Sequence, residues 1–328
     1  MKNLPLIDLH LHLDGSLSIE NIKKLSSLQN IPLNFNDEEI SKKLSVSEGC
    51  KNLNEYLEKF SFPNIFLQTA SGIENAIKNL CDELYKKGFI YAEIRFAPQK
   101  SCEKGLSQEE IIESACRAVK ESPFPCNLIL CCMRGNDNYK QNIETVELTK
   151  KYLGKGVCAC DLAGAEALFD TKNFSKEFTY AKKHDIPFTI HAGEASGADS
   201  IKTAVDFGAL RIGHGVRCLE DKKLCSLLLE KQIALELCPT SNINTCVFKS
   251  IENFPLKELM LEGIPLTVNS DNMSVSKTDV KKELNLLEKN FNLTQNDIKL
   301  FLLNSVHFSF AEESLKKKLT SAIEKAFF

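Results

Sequence analysis

Four of the six histidines, His10, His12, His191 and His214, stand at the ends of short apolar runs. In Leu6-Ile7-Asp8-Leu9-His10-Leu11-His12-Leu13 the period of a strand puts Asp8, His10 and His12 on one face and the leucines on the other. Two imidazoles on a buried face need partners. A metal ion held by both ring nitrogens is one solution, and a pair of satisfied core histidines is the other. In His191-Ala192-Gly193-Glu194 the small residues let the backbone turn close to a ligand, so that His191 can add a third ligand. Glu194 there either donates a proton or opens the next helix and favours its dipole. In Arg211-Ile212-Gly213-His214-Gly215 a histidine between glycines is poorly explained by packing; it is expected to stand exposed and to orient or deprotonate a bound water. Arg211 reads as a structural ion-pair residue.

These residues need a frame. Eight apolar runs, 4–13, 89–97, 126–133, 156–162, 187–191, 209–214, 233–238 and 264–269, alternate with amphipathic stretches. Strands alternating with helices imply parallel pairing, and eight such units in one chain imply a closed (β/α)8 TIM barrel, an α/β fold. An open doubly wound sheet lacks its G-x-G-x-x-G after the first strand. Helix starts are read at Ser71-Gly72-Ile73-Glu74, at the capping box Ser107-Gln108-Glu109-Glu110 and at Thr294-Gln295-Asn296-Asp297. The whole of 1–328 is expected to be a single catalytic barrel domain. Residues 16–70 form a helical insertion after the first strand, a lid over the barrel mouth, and extra helices close the C-terminus. Closure sets the eighth strand beside the first. Asp271, in Asn269-Ser270-Asp271-Asn272, would otherwise be a turn residue or N-cap, but closure brings it to His10 and His12. Three histidines and one carboxylate suit Zn²⁺.

Lys+Arg 41 against Asp+Glu 44 gives a net charge of -3, so nothing resembles a polycation for nucleic acid. With 43% hydrophobic and 26% charged residues the chain is not a disordered one. No apolar stretch approaches the ~20 residues of a membrane span, and Asp8, His10, His12 and Asp14 interrupt any signal-peptide core. The thirteen cysteines, several inside apolar runs, read as reduced core thiols, and the protein as cytoplasmic. No C-x-x-C occurs, which excludes the zinc site of cytidine-type deaminases.

Taken together, His10-Leu11-His12-Leu13-Asp14-Gly15, Leu130-Cys131-Cys132-Met133-Arg134, Asp161-Leu162-Ala163-Gly164-Ala165-Glu166, His191-Ala192-Gly193-Glu194, Gly213-His214-Gly215, Leu237-Cys238-Pro239-Thr240-Ser241-Asn242 and Ser270-Asp271-Asn272 resemble the adenosine deaminase family of the amidohydrolase superfamily, from Leu6 to about Asn272. The resemblance implies one Zn²⁺ per chain on His10, His12, His191 and Asp271. It makes His214 and Glu194 catalytic, the first positioning water and the second, protonated, giving its proton to purine N1. Substrate would be touched by His12, by Asp14 at the ribose 5′-hydroxyl, by the Gly164 N–H at N3 and by Asn272 near N7, where the best-known animal enzymes carry Asp. Relatives acting on the free base commonly carry Glu in place of Asp14, so this chain leans toward a nucleoside. The fourth strand ends without the lysine that bridges two metals in other amidohydrolases, which favours one metal. The implied reaction is zinc-dependent hydrolysis of adenosine, and of 2′-deoxyadenosine, to inosine and ammonia in purine salvage. Deamination of adenine or an N6-substituted purine is the alternative. The partner is then a small purine nucleoside, with neither nucleic acid nor membrane, and the oligomeric state is left open.

Overall fold

The computed structural model describes residues 4–47 and 50–327. The ends of the 1–328 domain and residues 48–49 of the 16–70 insertion fall outside them. Eight strands are found among the described residues: β1 Leu6–His12, β2 Phe89–Phe96, β3 Cys126–Met133, β4 Val157–Ala163, β5 Thr189–Ala192, β6 Arg211–His214, β7 Ala234–Leu237 and β8 Leu266–Val268. All pairings are parallel, in the order β1-β2-β3-β4 and β5-β6-β7-β8. Single parallel bridges, Cys160 with Phe188 and Leu11 with Asp271, join the two sheets at both edges and close the ring. The second seam is tight: the His12 N–H donates to the Asp271 carbonyl and the Asp271 N–H to the His10 carbonyl, both at 2.8 Å. The expected barrel, with its strands within a residue or two of the expected bounds, is what forms.

The period-two reading of β1 holds. Ile7, Leu9 and Leu11 are buried in the main apolar core with residues of the surrounding helices such as Ile73, Ile77 and Leu284. Asp8 and His10 are equally buried but face polar partners inside the ring. The capping boxes at Ser107/Glu110 and Thr294/Asp297 are both present. The helix read from Ser71 starts earlier, at Ala70. Its cap is Thr69, whose hydroxyl accepts from the Gly72 N–H at 3.0 Å and donates to Gln29 Oε1 at 2.7 Å. A hydroxyl three residues before a free amide caps it, and Ser71 already lies inside the first turn.

Between β1 and β2 the chain is helical over Ile19–Gln29, Asp37–Leu44, Leu53–Leu57 and Ser61–Asn64. Cys50, Leu53 and Tyr56 of this segment pack on Val275, after β8, and on Ala195, after β5. The Tyr56 hydroxyl and Ser276 Oγ share a hydrogen bond of 2.7 Å. The segment thus crosses the mouth of the barrel at the C-terminal ends of the strands. Past β8, helices Val280–Phe291, Gln295–His307 and Glu313–Ala326 complete the chain. Among the described residues no helix is long and apolar enough to cross a membrane.

Candidate active site

His10, His191, His214 and Asp271 are buried, and each offers a ligand atom within 4.8 Å of the others. His12 joins them at the rim: its Nε2 lies 3.1 Å from His191 Nε2 and 3.4 Å from Asp271 Oδ1. Asp271 has φ 59, a left-handed backbone outside the extended region usual for an N-cap, and its Oδ1 stands 3.4 Å from Nε2 of both His10 and His12. All four expected metal ligands are therefore brought together, from β1, β5 and the end of β8. His214 comes with them from β6.

The partners of the ring nitrogens show what this cluster needs. His10 Nδ1 lies 2.7 Å from Glu236 Oε2, and His191 Nδ1 lies 2.9 Å from Asp161 Oδ2. A carboxylate at Nδ1 fixes the proton there and leaves the Nε2 lone pair pointing inward. His10 Nε2 is buried and without a hydrogen-bond partner among the described residues, and Asp271 Oδ1 stands 3.4 Å from it. Inward lone pairs beside a carboxylate form an electron-rich, buried centre, and such a centre fits a cation.

The floor beneath is ionic. Arg95 Nη1 donates to Asp161 Oδ2 and Nη2 to Glu236 Oε2, each at 2.9 Å. Arg211 Nε donates to Glu236 Oε1 at 2.6 Å and Nη2 to Glu93 Oε2 at 2.7 Å, which bears out its reading as an ion-pair residue. Burial works against the charge of Asp161, but His191 and Arg95 hold it well below the usual carboxylate range. Glu236 is likewise held down against burial by both arginines. Neither arginine, neither Glu93 nor Glu236, had been singled out as orienting the cluster. The signal was present as charged residues inside otherwise apolar strands: Glu93 and Arg95 in β2 and Glu236 in β7.

Glu194 is 5% exposed. The next helix begins at Ala198 with Gly197 as cap, so Glu194 lies ahead of it rather than in its first turn. Its Oε2 is 3.6 Å from His214 Nε2, and its Oε1 accepts from the Thr245 hydroxyl at 3.1 Å. Burial, then the charges of Asp271 and Glu166, push its pKa up to about 8. His214 corrects one expectation. It does not stand exposed: at 1% exposure, with φ 61, it is folded under the mouth, and Asn242 Nδ2 lies 3.0 Å from its Nδ1. Burial depresses its pKa to about 3, which keeps the ring neutral. The Asn242 amide ties the Pro239–Asn244 helix to the cluster.

Above the cluster lies a cavity of about 480 Å³, walled by His12 and Gly164, by Leu57, Phe60 and Ser61 of the insertion, and by Met133 and Arg134. Arg134 Nη2 donates to the His191 carbonyl at 2.6 Å and steadies the tip of β5. Gly164 has φ 106, and a Cβ there would stand 3.3 Å from Met133 Cε, so only glycine suits this wall. Asp14 is half-buried just past the end of β1 and is not among the residues that wall this cavity, and burial pushes its pKa up to about 6. Asn272 is farther back. Its side chain fills the space that a Cβ on Gly15 would need, and its Oδ1 has no partner among the described residues. A larger cavity of about 570 Å³ lies at the far end, around Leu4, Lys87 and Gly88, with no residue of the cluster in its wall.

A parallel eight-stranded barrel with a histidine–aspartate cluster and a buried acid at the C-terminal ends of its strands is the architecture of an amidohydrolase-type hydrolase. The sequence model of the family described as adenosine deaminase matches residues 5–326, so the likeness runs past Asn272 into the last helix. An adenosine deaminase of Haemophilus ducreyi is 43% identical over 333 residues, covering 98% of this chain and 96% of that protein. The chain belongs to the adenosine deaminase family and is a hydrolytic deaminase. In fold it is similar to an adenine deaminase from Arthrobacter aurescens, with TM-score 0.89 and 24% identity over 98% of this chain and 99% of that one. It is also similar to an amidohydrolase from Burkholderia ambifaria solved with bound Zn, with TM-score 0.87 and 20% identity over 99% and 91% of the two chains.

Proposed function

We propose that the chain hydrolyses adenosine and 2′-deoxyadenosine to the corresponding inosine nucleoside and ammonia, with one Zn²⁺ held by His10, His12, His191 and Asp271, in purine salvage in the cytoplasm. The observation that carries this reading is the placing of the buried Glu194 carboxyl 3.6 Å from His214 and beside the inward-facing cluster. Thirteen free thiols fit a reducing compartment.

A metal held by His10, His12, His191 and Asp271 would supply Lewis acidity, which brings the pKa of water from 15.7 to about 7. The chain does the rest. Glu194 donates its proton to N1 as water oxygen adds to C6, so negative charge does not build up on the ring. Neutral His214, with Asp271, holds the attacking oxygen and takes one of its protons. The C6–N6 bond then breaks, and that proton leaves with the amino group as ammonia. The proton left on the C6 oxygen restores Glu194 as the acid, and N1 keeps the proton it received. The Gly164 N–H reads N3, Asn272 reads N7, Asp14 accepts from the ribose 5′-hydroxyl, and His12 closes the wall. A cavity of about 480 Å³ lies within the range of small-molecule pockets and accommodates a nucleoside.

The competing substrates are adenine and N6-substituted purines. Ammonia release from adenosine and adenine and methylamine release from N6-methyladenosine, measured side by side with metal analysis of the same sample, decides. Adenosine is expected to be turned over fastest, with one zinc per chain. Preference for adenine or the N6-methyl compound overturns the substrate reading, and full activity without metal overturns the mechanism.

A further inference from the structure

The turn that carries Glu194 has its own anchor. Four consecutive amides converge on the carboxylate of Glu166: Gly193 N–H donates to Oε1 at 2.8 Å, and Glu194, Ala195 and Ser196 donate to Oε2 at 3.0, 2.7 and 3.0 Å. Ser200 Oγ donates to Oε1 at 2.5 Å, and Ser196 Oγ to the Glu166 carbonyl at 3.4 Å. Glu166 is 2% exposed, and among the described residues no lysine, arginine or histidine forms an ion pair with it. Its charge is met by oriented amide dipoles, as an anion is met in a backbone nest. The guanidinium of Arg134 lends a favourable charge from nearby without pairing with it, through Thr171 and Ser200, so the amides carry the direct contacts, and a helix start as such needs only a short polar cap. The turn has little slack: Gly193 has φ 72, and a Cβ there would stand 2.3 Å from Ile201 Cδ1.

We infer that Glu166 is a positioning residue for the proton transfer. It fixes the backbone of 193–196 so that the Glu194 carboxyl stays at His214 and the cluster. Both of its carboxylate oxygens are taken up by the four amides and by Ser200, which leaves the side chain turned to the backbone of the turn. The inference rests on the reading of Glu194 as proton donor. It predicts a role that a purely structural anchor lacks, because its effect on turnover passes through one side chain.

The test uses the metal-loaded full chain and four proteins: the parent, Glu166→Gln, Glu194→Gln and the double variant. Glutamine keeps the shape of Glu166 but turns an NH₂ group toward donor amides. Misplacement of a catalytic group by about 1 Å costs roughly 10²-fold, so Glu166→Gln is expected to lower kcat on that order. KM for adenosine and metal content should stay within about twofold. In the Glu194→Gln background the same change should cost no more than about twofold, since the group it positions is gone. Unchanged kcat in Glu166→Gln, or an equal loss in both backgrounds, overturns the inference. Parent-like turnover by Glu194→Gln alone overturns the donor reading instead, and is seen separately. Where Glu166→Gln does not fold, as judged by cooperative melting and metal content, Ser200→Ala loosens the same carboxylate by one bond. It should lower kcat in the parent background and not in Glu194→Gln, and unchanged kcat there also overturns the inference.

Discussion

Asp161→Asn removes one charge and changes no shape, yet it should loosen the metal. Asp161 receives four donors: His191 Nδ1–H at 2.9 Å, Arg95 Nη1–H at 2.9 Å, the Leu162 N–H at 2.7 Å and, more weakly, the Cys131 thiol at 3.7 Å. Asparagine offers a single acceptor oxygen and an NH₂ group, so at least one of these donors must face another donor. If that donor is His191, the ring loses the partner that holds its Nε2 toward the centre. Loss of a carboxylate behind a metal-bound histidine costs about 10–100-fold in metal affinity, or roughly 1.4–2.7 kcal/mol at 1.36 kcal/mol per decade. Stability should fall by less than the ~3–5 kcal/mol of a broken buried pair, because Arg95 keeps Glu236 at 2.9 Å. The assay is zinc occupancy under a graded competing chelator, with thermal melting of the metal-free proteins alongside. Affinity within about twofold of the parent would refute the claim that Asp161 orients His191.

Three further outcomes are expected. His12→Ala should lower zinc content at equal total metal while melting of the metal-free protein barely moves; full zinc retention contradicts its place as a ligand. Asp14→Ala should raise KM for adenosine more than for 5′-deoxyadenosine, and equal effects remove the ribose contact. Glu283 is buried, accepts from Thr278 Oγ1 at 2.5 Å, and burial pushes its pKa up to about 7 from 4.5. The folded state then keeps a proton that the unfolded chain releases, so the stabilisation is complete below about pH 4.5 and is lost as pH rises through about 7. Glu283→Gln should therefore show a shallower fall in Tm than the parent between pH 5 and 8, and parallel curves would show that the group is not held protonated.

The barrel was legible because strand and helix periods differ, and a closed ring of eight units leaves few topologies for alternating runs. The cluster was legible for a related reason. Residues at the tips of parallel strands meet at one face, so His12, His191 and Asp271 could be joined across 259 positions without knowing a distance. What could not be read were partners fixed by side-chain direction. Glu236 in β7 and Arg95 with Glu93 in β2 stand as charges in otherwise apolar strands, and nothing local says that Glu236 and Arg95 face each other. The exposure expected of His214 failed because His214 itself, followed by Gly215, takes a left-handed backbone, and the ring is held inward at Asn242. The anchor role of Glu166 depends on four amides 27 to 30 residues away, and only the fold brings them to it.

The central claim is that a buried acid acts beside a single metal held by three imidazoles and a carboxylate. It is tested most directly by measuring zinc content and adenosine turnover on one preparation of Glu194→Gln. The account predicts one zinc per chain, as in the parent, with turnover reduced by about 10²–10⁴-fold, the usual worth of a general acid. Parent-like turnover, or zinc lost together with activity, would contradict it.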